Sequence, residues 1–148
     1  VYYIDVNFAF TLLGAIPAGV TPVSMADNGL AVVVVDGTAT GYAIDLAAAH
    51  TFGAIGAGFL GADVVDATDT FFLFNRPNTA QFYISLSNVT YAMLVGGTAF
   101  DPLDIAAKTS SPDPIKTLIV NRGELWLMGA RSTLNNPSHV VIASACLA

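Results

Sequence analysis

Apolar and polar positions follow one another along this chain in blocks: a short apolar run, a tight polar turn, a second apolar run. The block occurs three times. Leu30–Val35 and Tyr42–Leu46 flank Asp36-Gly37. Phe71–Phe74 and Gln81–Leu86 flank Asn75-Arg76-Pro77-Asn78. Leu118–Val120 and Leu125–Met128 flank Asn121-Arg122-Gly123. Short runs of Val, Phe, Tyr and Ile bounded by Gly, Pro, Asn and Asp predict strands joined by hairpin turns. Asn-Gly and Asp-Gly supply the positive φ that two-residue hairpins need. Registered on the turn before each inner strand (Asn28-Gly29, Asp69-Thr70, Arg122-Gly123), the blocks are spaced by 41 and 53 residues. A second turn follows each inner strand, at Asp36-Gly37, Arg76-Pro77 and Gly129-Ala130. Short fourth strands are predicted near Thr51–Ile55 and Tyr91–Val95. Only Ala47–His50 and Ile105–Lys108 hint at helix, and both are too short to carry caps and a periodic face.

The inner runs do not alternate. Val32-Val33-Val34-Val35, Phe71-Phe72-Leu73-Phe74 and Leu125-Trp126-Leu127-Met128 are apolar throughout. A half-buried strand alternates apolar and polar residues, so these strands are predicted to be covered on both faces. Four short strands in about 40–45 residues is the unit of a propeller blade. The predicted fold class is all-β, with β-propeller-like blades of short antiparallel strands. The prediction is a single β domain over 1–148, with three blade-like repeats at 24–60, 61–100 and 113–148 and a rim insertion at 96–114. The alternative is the centre of a two-layer β fold with helices outside. Propellers close with about four to eight blades. Three repeats therefore predict an incomplete propeller, a part of a larger one, or a ring built from several chains. The chain opens inside an apparent strand, Val1-Tyr2-Tyr3-Ile4, which suggests a processed product or part of something longer.

Composition sharpens this. Apolar residues are 54% and charged residues 11%, against about 25% charged in an ordinary globular protein. The chain is neither disordered nor a solvated linker, and so little charge suggests a surface partly covered by another subunit. The uncharged run Val6–Ala26 holds Gly14, Pro17, Gly19 and Pro22, which break helices, and lacks a basic flank,. The uncharged run Leu46–Ala62 carries Gly53, Gly56, Gly58 and Gly61. Neither reads as a membrane span or a signal peptide. The net charge is −6 with five basic residues. Arg76, Lys108, Lys116, Arg122 and Arg131 are too few and too scattered to grip a phosphate backbone. Cys146 is alone, so no internal disulfide is available.

No catalytic signature emerges. There is no Gly-x-Ser-x-Gly elbow and no phosphate-cradling loop with its Lys. His50 and His139 stand far apart, without a partner at metal-ligand spacing. Glycoside hydrolysis needs two carboxyls roughly 5–9.5 Å apart. The candidates are Asp63, Asp66, Asp69, Asp101, Asp104 and Glu124, with Asp63 and Asp101 the pair to inspect. Each reads better as turn chemistry, because Asp accepts hydrogen bonds from its own backbone two residues on. No catalytic, cofactor-binding or metal-ligating residue is assigned, and no cofactor is expected. The residues singled out are structural: the turns Asn28, Gly29, Asp36, Gly37, Asn75, Arg76, Pro77, Arg122 and Gly123, and Trp126 as a core residue.

In order along the chain, Ser24-Met25-Ala26-Asp27-Asn28-Gly29, Val34-Val35-Asp36-Gly37, Gly41-Tyr42, Gly61-Ala62-Asp63-Val64, Phe72-Leu73-Phe74-Asn75-Arg76-Pro77 and Gln81-Phe82-Tyr83-Ile84-Ser85 carry a resemblance. It continues through Phe100-Asp101-Pro102-Leu103-Asp104-Ile105-Ala106, Ser111-Pro112-Asp113, Glu124-Leu125-Trp126-Leu127, Gly129 and Ser132. From about Ser24 to Ser132 the chain resembles the packaged-DNA stabilisation proteins of short-tailed bacteriophages, which close the portal channel and form the tail hub. Asn78 stands where that pattern has Gly. After Thr133 the expected Glu-x-Trp-Tyr strand is replaced by Asn135-Asn136-Pro137-Ser138. The resemblance implies a non-enzymatic virion component that plugs the channel and retains packaged DNA. It implies a homo-oligomeric ring, a hexamer, between a portal or adaptor protein and a tail needle or tailspike. Localisation would be the virion tail, after assembly in the bacterial cytoplasm, with no sequence-specific nucleic-acid binding and no membrane partner. The alternatives are a non-viral propeller-type interaction or scaffold module and, behind it, a glycan-active enzyme.

Overall fold

The computed structural model describes residues 1–17, 22–47, 50–108 and 113–131 and the backbone of Val141 and Ile142. The fold is all-β. Among the described residues, four antiparallel sheets hold nearly all the regular structure, beside one short helix. A hairpin of β1 (Tyr2–Ile4) and β2 (Phe10–Leu12) comes first. A meander follows: β3 (Ser24–Asp27), β4 (Ala31–Val35), β5 (Tyr42–Asp45) and β6 (Phe52–Ala54). The next sheet is β7 (Val65–Thr68), β8 (Phe71–Asn75) and β9 (Gln81–Ile84), then helix α1 (Tyr91–Gly96), then β10 (Ile105–Ala107), again in sequence order across the sheet. The last is β11 (Ile115–Asn121), β12 (Glu124–Gly129) and β13 (Val141–Ile142).

Local chemistry sets the turns. Gly29 and Asp69 take positive φ between the first two strands of the two meanders, and Arg122 and Gly123 do so between β11 and β12. Asn28 Oδ1 accepts from the N–H groups of Leu30 and Ala31, which folds the chain back before β4. The turn after β8 runs through Arg76 and Pro77 to Asn78, whose φ of 58° is the left-handed conformation Asn tolerates,.

The two meanders and the last sheet pack face to face in sequence order. Val33, Val35 and Ala43 of the first meander share a core with Val65, Phe72, Phe74 and Tyr83 of the second. Leu73 and Phe82, on the opposite face of the second meander, share a separate core with Ile115, Leu118, Leu125 and Leu127. The unbroken apolar run at Phe71–Phe74 therefore has the predicted cause: alternate side chains enter two different cores. The prediction does not hold for the last run. Leu125 and Leu127 are buried, but Trp126 is only half-buried and Met128 is exposed. These two point to the outer face of the last sheet, away from the core that Leu125 and Leu127 enter. Trp126 is thus not a residue of either core cluster.

Two further expectations are corrected. Tyr91–Val95 is helix, not strand. Thr90 caps it by accepting from Met93 N–H, Gly97 closes it with a φ of 74°, and Leu94 is its buried contact. The helix occupies the place where the fourth strand of the second meander was expected. The fourth strand of the second meander comes later, at Ile105–Ala107, inside the segment 96–114 that the sequence reads as a rim insertion. It pairs with β9, Ile105 opposite Tyr83. The helix also explains two glycines. A Cβ on Gly97 would lie 2.7 Å from Ala57 N, and one on Gly56 would lie 2.5 Å from Val95 O. Gly97→Ala is expected to cost about 1–2 kcal/mol from the left-handed conformation alone, and more from the contact. A fall in the urea unfolding midpoint measures it, and an unchanged midpoint would contradict the close approach.

Candidate functional site

The leading ends of the three stacked sheets converge. β3 lies beside β7, and β7 beside β11. A cleft of about 560 Å³ opens where they meet, lined by Ser24, Asp63, Val64, Asn78 and Lys116 together with Pro22, Val23 and Gly37. Polar side chains tie its walls together. Ser24 Oγ donates to Val65 O (3.3 Å) and accepts from Val65 N (3.2 Å), joining the first meander to the second. Gly37 N donates to Ala62 O (2.9 Å), and Asn28 Nδ2 to Val89 O (2.9 Å), across the same boundary.

Asn75 ties the second meander to the last sheet. It is fully buried. Its Oδ1 accepts from the N–H groups of Asp63 and Val64, each at 2.9 Å. Its Nδ2 donates to Asp63 Oδ2 (2.9 Å) and to Ile115 O (3.3 Å). Asp66 Oδ2 adds a bond from Val120 N at 2.7 Å. Sequence reasoning placed Asn75 in a turn. It ends β8 instead, and its contact with Ile115 lies 40 residues away, which no local pattern encodes.

The remaining singled-out residues have local roles. Asp36 is buried, and its Oδ1 accepts from the N–H and the hydroxyl of Thr38. Arg76 closes its turn by donating from Nη1 to Gln81 Oε1 (2.7 Å) and from its backbone N–H to Gln81 O. Arg122 and Gly123 form an exposed turn. The indole N–H of Trp126 is buried and, among the described residues, has no acceptor.

The carboxylates mostly do turn work. Asp5, Asp27, Asp36, Asp45 and Asp101 each accept from the N–H two residues on. Asp63 lines the cleft, whereas Asp101 lies in the exposed turn leading to β10 and is not among the lining residues. Among the described residues no group of three or more His, Cys, Asp and Glu could hold a metal ion. His50 stacks on Tyr3, ring centroids 4.0 Å apart, while His139 and Cys146 lie outside the described residues. Tyr83 donates to Gly61 O and accepts from Leu60 N. Burial pushes its phenol well above the usual tyrosine range, against smaller lowering effects of the Leu60 N–H and Arg76. It stays protonated and acts as a buried strut.

One buried ion pair was not foreseen. Lys108 Nζ meets Asp113 Oδ1 at 2.5 Å, with side chains 2% and 8% exposed. Arg131 N donates to the other carboxylate oxygen at 2.8 Å. Pro112-Asp113-Pro114 reads as turn chemistry in the sequence, and only the approach of β12 to this segment reveals the pair's burial.

Among the described residues, the two ends of the stack present exposed apolar side chains. On the β1–β2 hairpin, Tyr2 opposes Leu12 and Ile4 opposes Phe10. These four share one face and are 61–74% exposed. The other face carries Tyr3, which rests on His50. The chain leaving β2 crosses the first meander at Gly14, where the Phe52 ring leaves no room for a Cβ. At the far end the outer face of the last sheet presents Ile119, Trp126 and Met128 around a hollow of about 240 Å³.

No family model, curated protein or solved structure matches this chain. Among the described residues no helix is long and apolar enough to cross a membrane.

Proposed function

We propose that this chain is a structural assembly module, an arc of propeller-type blades that works as part of a larger ring. The observation that carries the reading is the pair of open apolar ends on a stack whose interior sheet is covered on both faces. The low charged fraction, 11%, agrees with a surface meant for burial. Two features support blades: each meander runs in sequence order across its sheet, and the first strands gather around one cleft.

The specific form of the proposal follows the resemblance: a tail-hub or head-completion component that plugs the portal channel of a short-tailed phage and retains packaged DNA. Its neighbours would be portal or adaptor and tail needle or tailspike proteins. An acidic plug needs no grip on phosphate, and a wall that repels the backbone does not trap DNA during ejection. The role is structural rather than catalytic, and the cleft's single lining carboxylate, Asp63, is consistent with that. The cleft itself favours the runner-up, an interaction module whose ligand meets Asp63 and Lys116.

Light scattering coupled to size exclusion tests the reading. Micromolar protein is expected to run as a discrete oligomer. A stable monomer at every concentration, with clean two-state unfolding, would overturn it.

A further inference from the structure

We infer that the outward face of the β1–β2 hairpin docks on the outer face of the last sheet of a second copy, so that copies join head to tail. The inference rests on the assembly reading above and names its contact. The hairpin is the less self-sufficient partner. An isolated two-stranded hairpin is marginal in water, yet this one turns Tyr2, Ile4, Phe10 and Leu12 to solvent on one face. Val6 and Phe8 at its tip are exposed too. Its other face is already used, through Tyr3 on His50.

The size of the surface fits a second copy. Buried aromatic side chains cover about 150–250 Å² each. Tyr2, Ile4, Phe10 and Leu12 on one face, with Val6 and Phe8 at the tip, together offer several hundred Å², a large share of the roughly 800 Å² per partner that a stable interface buries. Single exposed apolar residues are ordinary, but a contiguous patch of this extent marks an interaction site.

The acceptor is argued from continuity. Inside the chain the first meander lays an apolar face on the second, and the second on the last sheet: Val33 and Phe74 in one core, Leu73 and Leu127 in the other. Among the described residues the series ends at Ile119, Trp126 and Met128, a mostly apolar face that surrounds, with Asn121, a hollow of about 240 Å³, roomy enough for an aromatic side chain. Phe10, the most exposed of the four side chains on the hairpin face, is the one that suits it. Hairpin-to-hairpin pairing would cover one end of each copy and leave the other wet. Head-to-tail docking covers both with one contact. A contact of this kind generates a closed ring when its rotation closes.

Three proteins test the inference: the wild-type chain, Phe10→Asp and Ile119→Asp, each at micromolar concentration by sedimentation velocity. Both substitutions lie on exposed side chains, so circular dichroism and thermal unfolding are expected to stay wild-type; Leu12→Lys and Met128→Lys are the second pair should either fail to fold. Each variant alone is expected to weaken self-association at least about tenfold. Mixed in equal amounts, the two variants keep one intact surface of each kind. They are expected to form a heterodimer that grows no further. If Phe10→Asp dissociates the oligomer but Ile119→Asp does not, the hairpins pair with each other and the inference falls. If the wild type is oligomeric and neither variant changes it, the contact is elsewhere and the assembly reading survives. If the wild type is monomeric throughout, both fall.

Discussion

Asp113→Ala is expected to destabilise the protein by about 3–5 kcal/mol, because it leaves the Lys108 ammonium buried without its carboxylate,. The Lys108 side chain is 2% exposed, and its ammonium cannot recover hydration without moving the backbone that carries it. Lys108 is fixed at its own N–H, which donates to Ala80 O at the end of the β8–β9 turn. Asp113 is fixed from the far side by Arg131 N. Gly129 lies so close that a Cβ there would meet both Asp113 Oδ2 and Lys108 Nζ, so no side chain can move in. Lys108→Met with Asp113→Asn removes both charges and keeps an acceptor for Arg131 N. It is expected to recover most of the loss, since a buried pair is often matched by apolar groups of similar volume. Urea unfolding of the two single variants and the double variant measures this. A cost under about 1 kcal/mol for Asp113→Ala, the value of an exposed pair, would contradict the burial.

Asn75→Leu is expected to lose about 3 kcal/mol or more. Leu keeps the branching and heavy-atom number of Asn, so no cavity forms and the loss reports the missing hydrogen bonds together with any crowding by the bulkier methyl groups. Three backbone groups lose their partner: the part-buried N–H groups of Asp63 and Val64 and the buried carbonyl of Ile115. Each orphaned group costs about 1–3 kcal/mol. Asn75→Asp separates the contributions. It keeps an acceptor for the two N–H groups but turns an oxygen toward Asp63 Oδ2 and Ile115 O, and is also expected to destabilise. Amide hydrogen exchange at Asp63 and Val64 localises the effect. In Asn75→Leu these two are expected to lose protection first, and unchanged protection would remove Asn75 from its linking role.

The comparison of sequence with structure turns on range. The turns at Asn28-Gly29, Asp36-Gly37 and Arg122-Gly123 were legible because their causes are local: a left-handed φ, or an Asx oxygen bonded two residues on. The strands they bound follow, since β-rich runs between such turns have few other conformations. The misreadings fall where a local preference met a distant partner. Tyr91–Val95 suits a strand by composition at its ends, but Thr90 and Gly97 cap it and Leu94 finds a core, so helix wins. Ile105–Ala107 carries a weak preference and becomes a strand because the open edge of β9 is beside it. Trp126 sits in an apolar run identical in pattern to Phe71–Phe74. The difference between them is whether a further sheet lies over the outer face, and that is not a property of the run.

The candidate surfaces divide in the same way. The exposed hairpin residues Tyr2, Ile4, Phe10 and Leu12 are visible in the sequence as apolar letters, but the letters alone predict burial. The sequence by itself determined the all-β class, the positions of most turns and the scarcity of charge, because backbone geometry and composition act over a few residues. The tertiary structure alone decided which faces were covered, which buried polar groups met across sheets, and where the Lys108–Asp113 pair closed. Those outcomes depend on segments far apart in the chain coming within a few ångströms, and no short window of sequence contains both sides of such a contact.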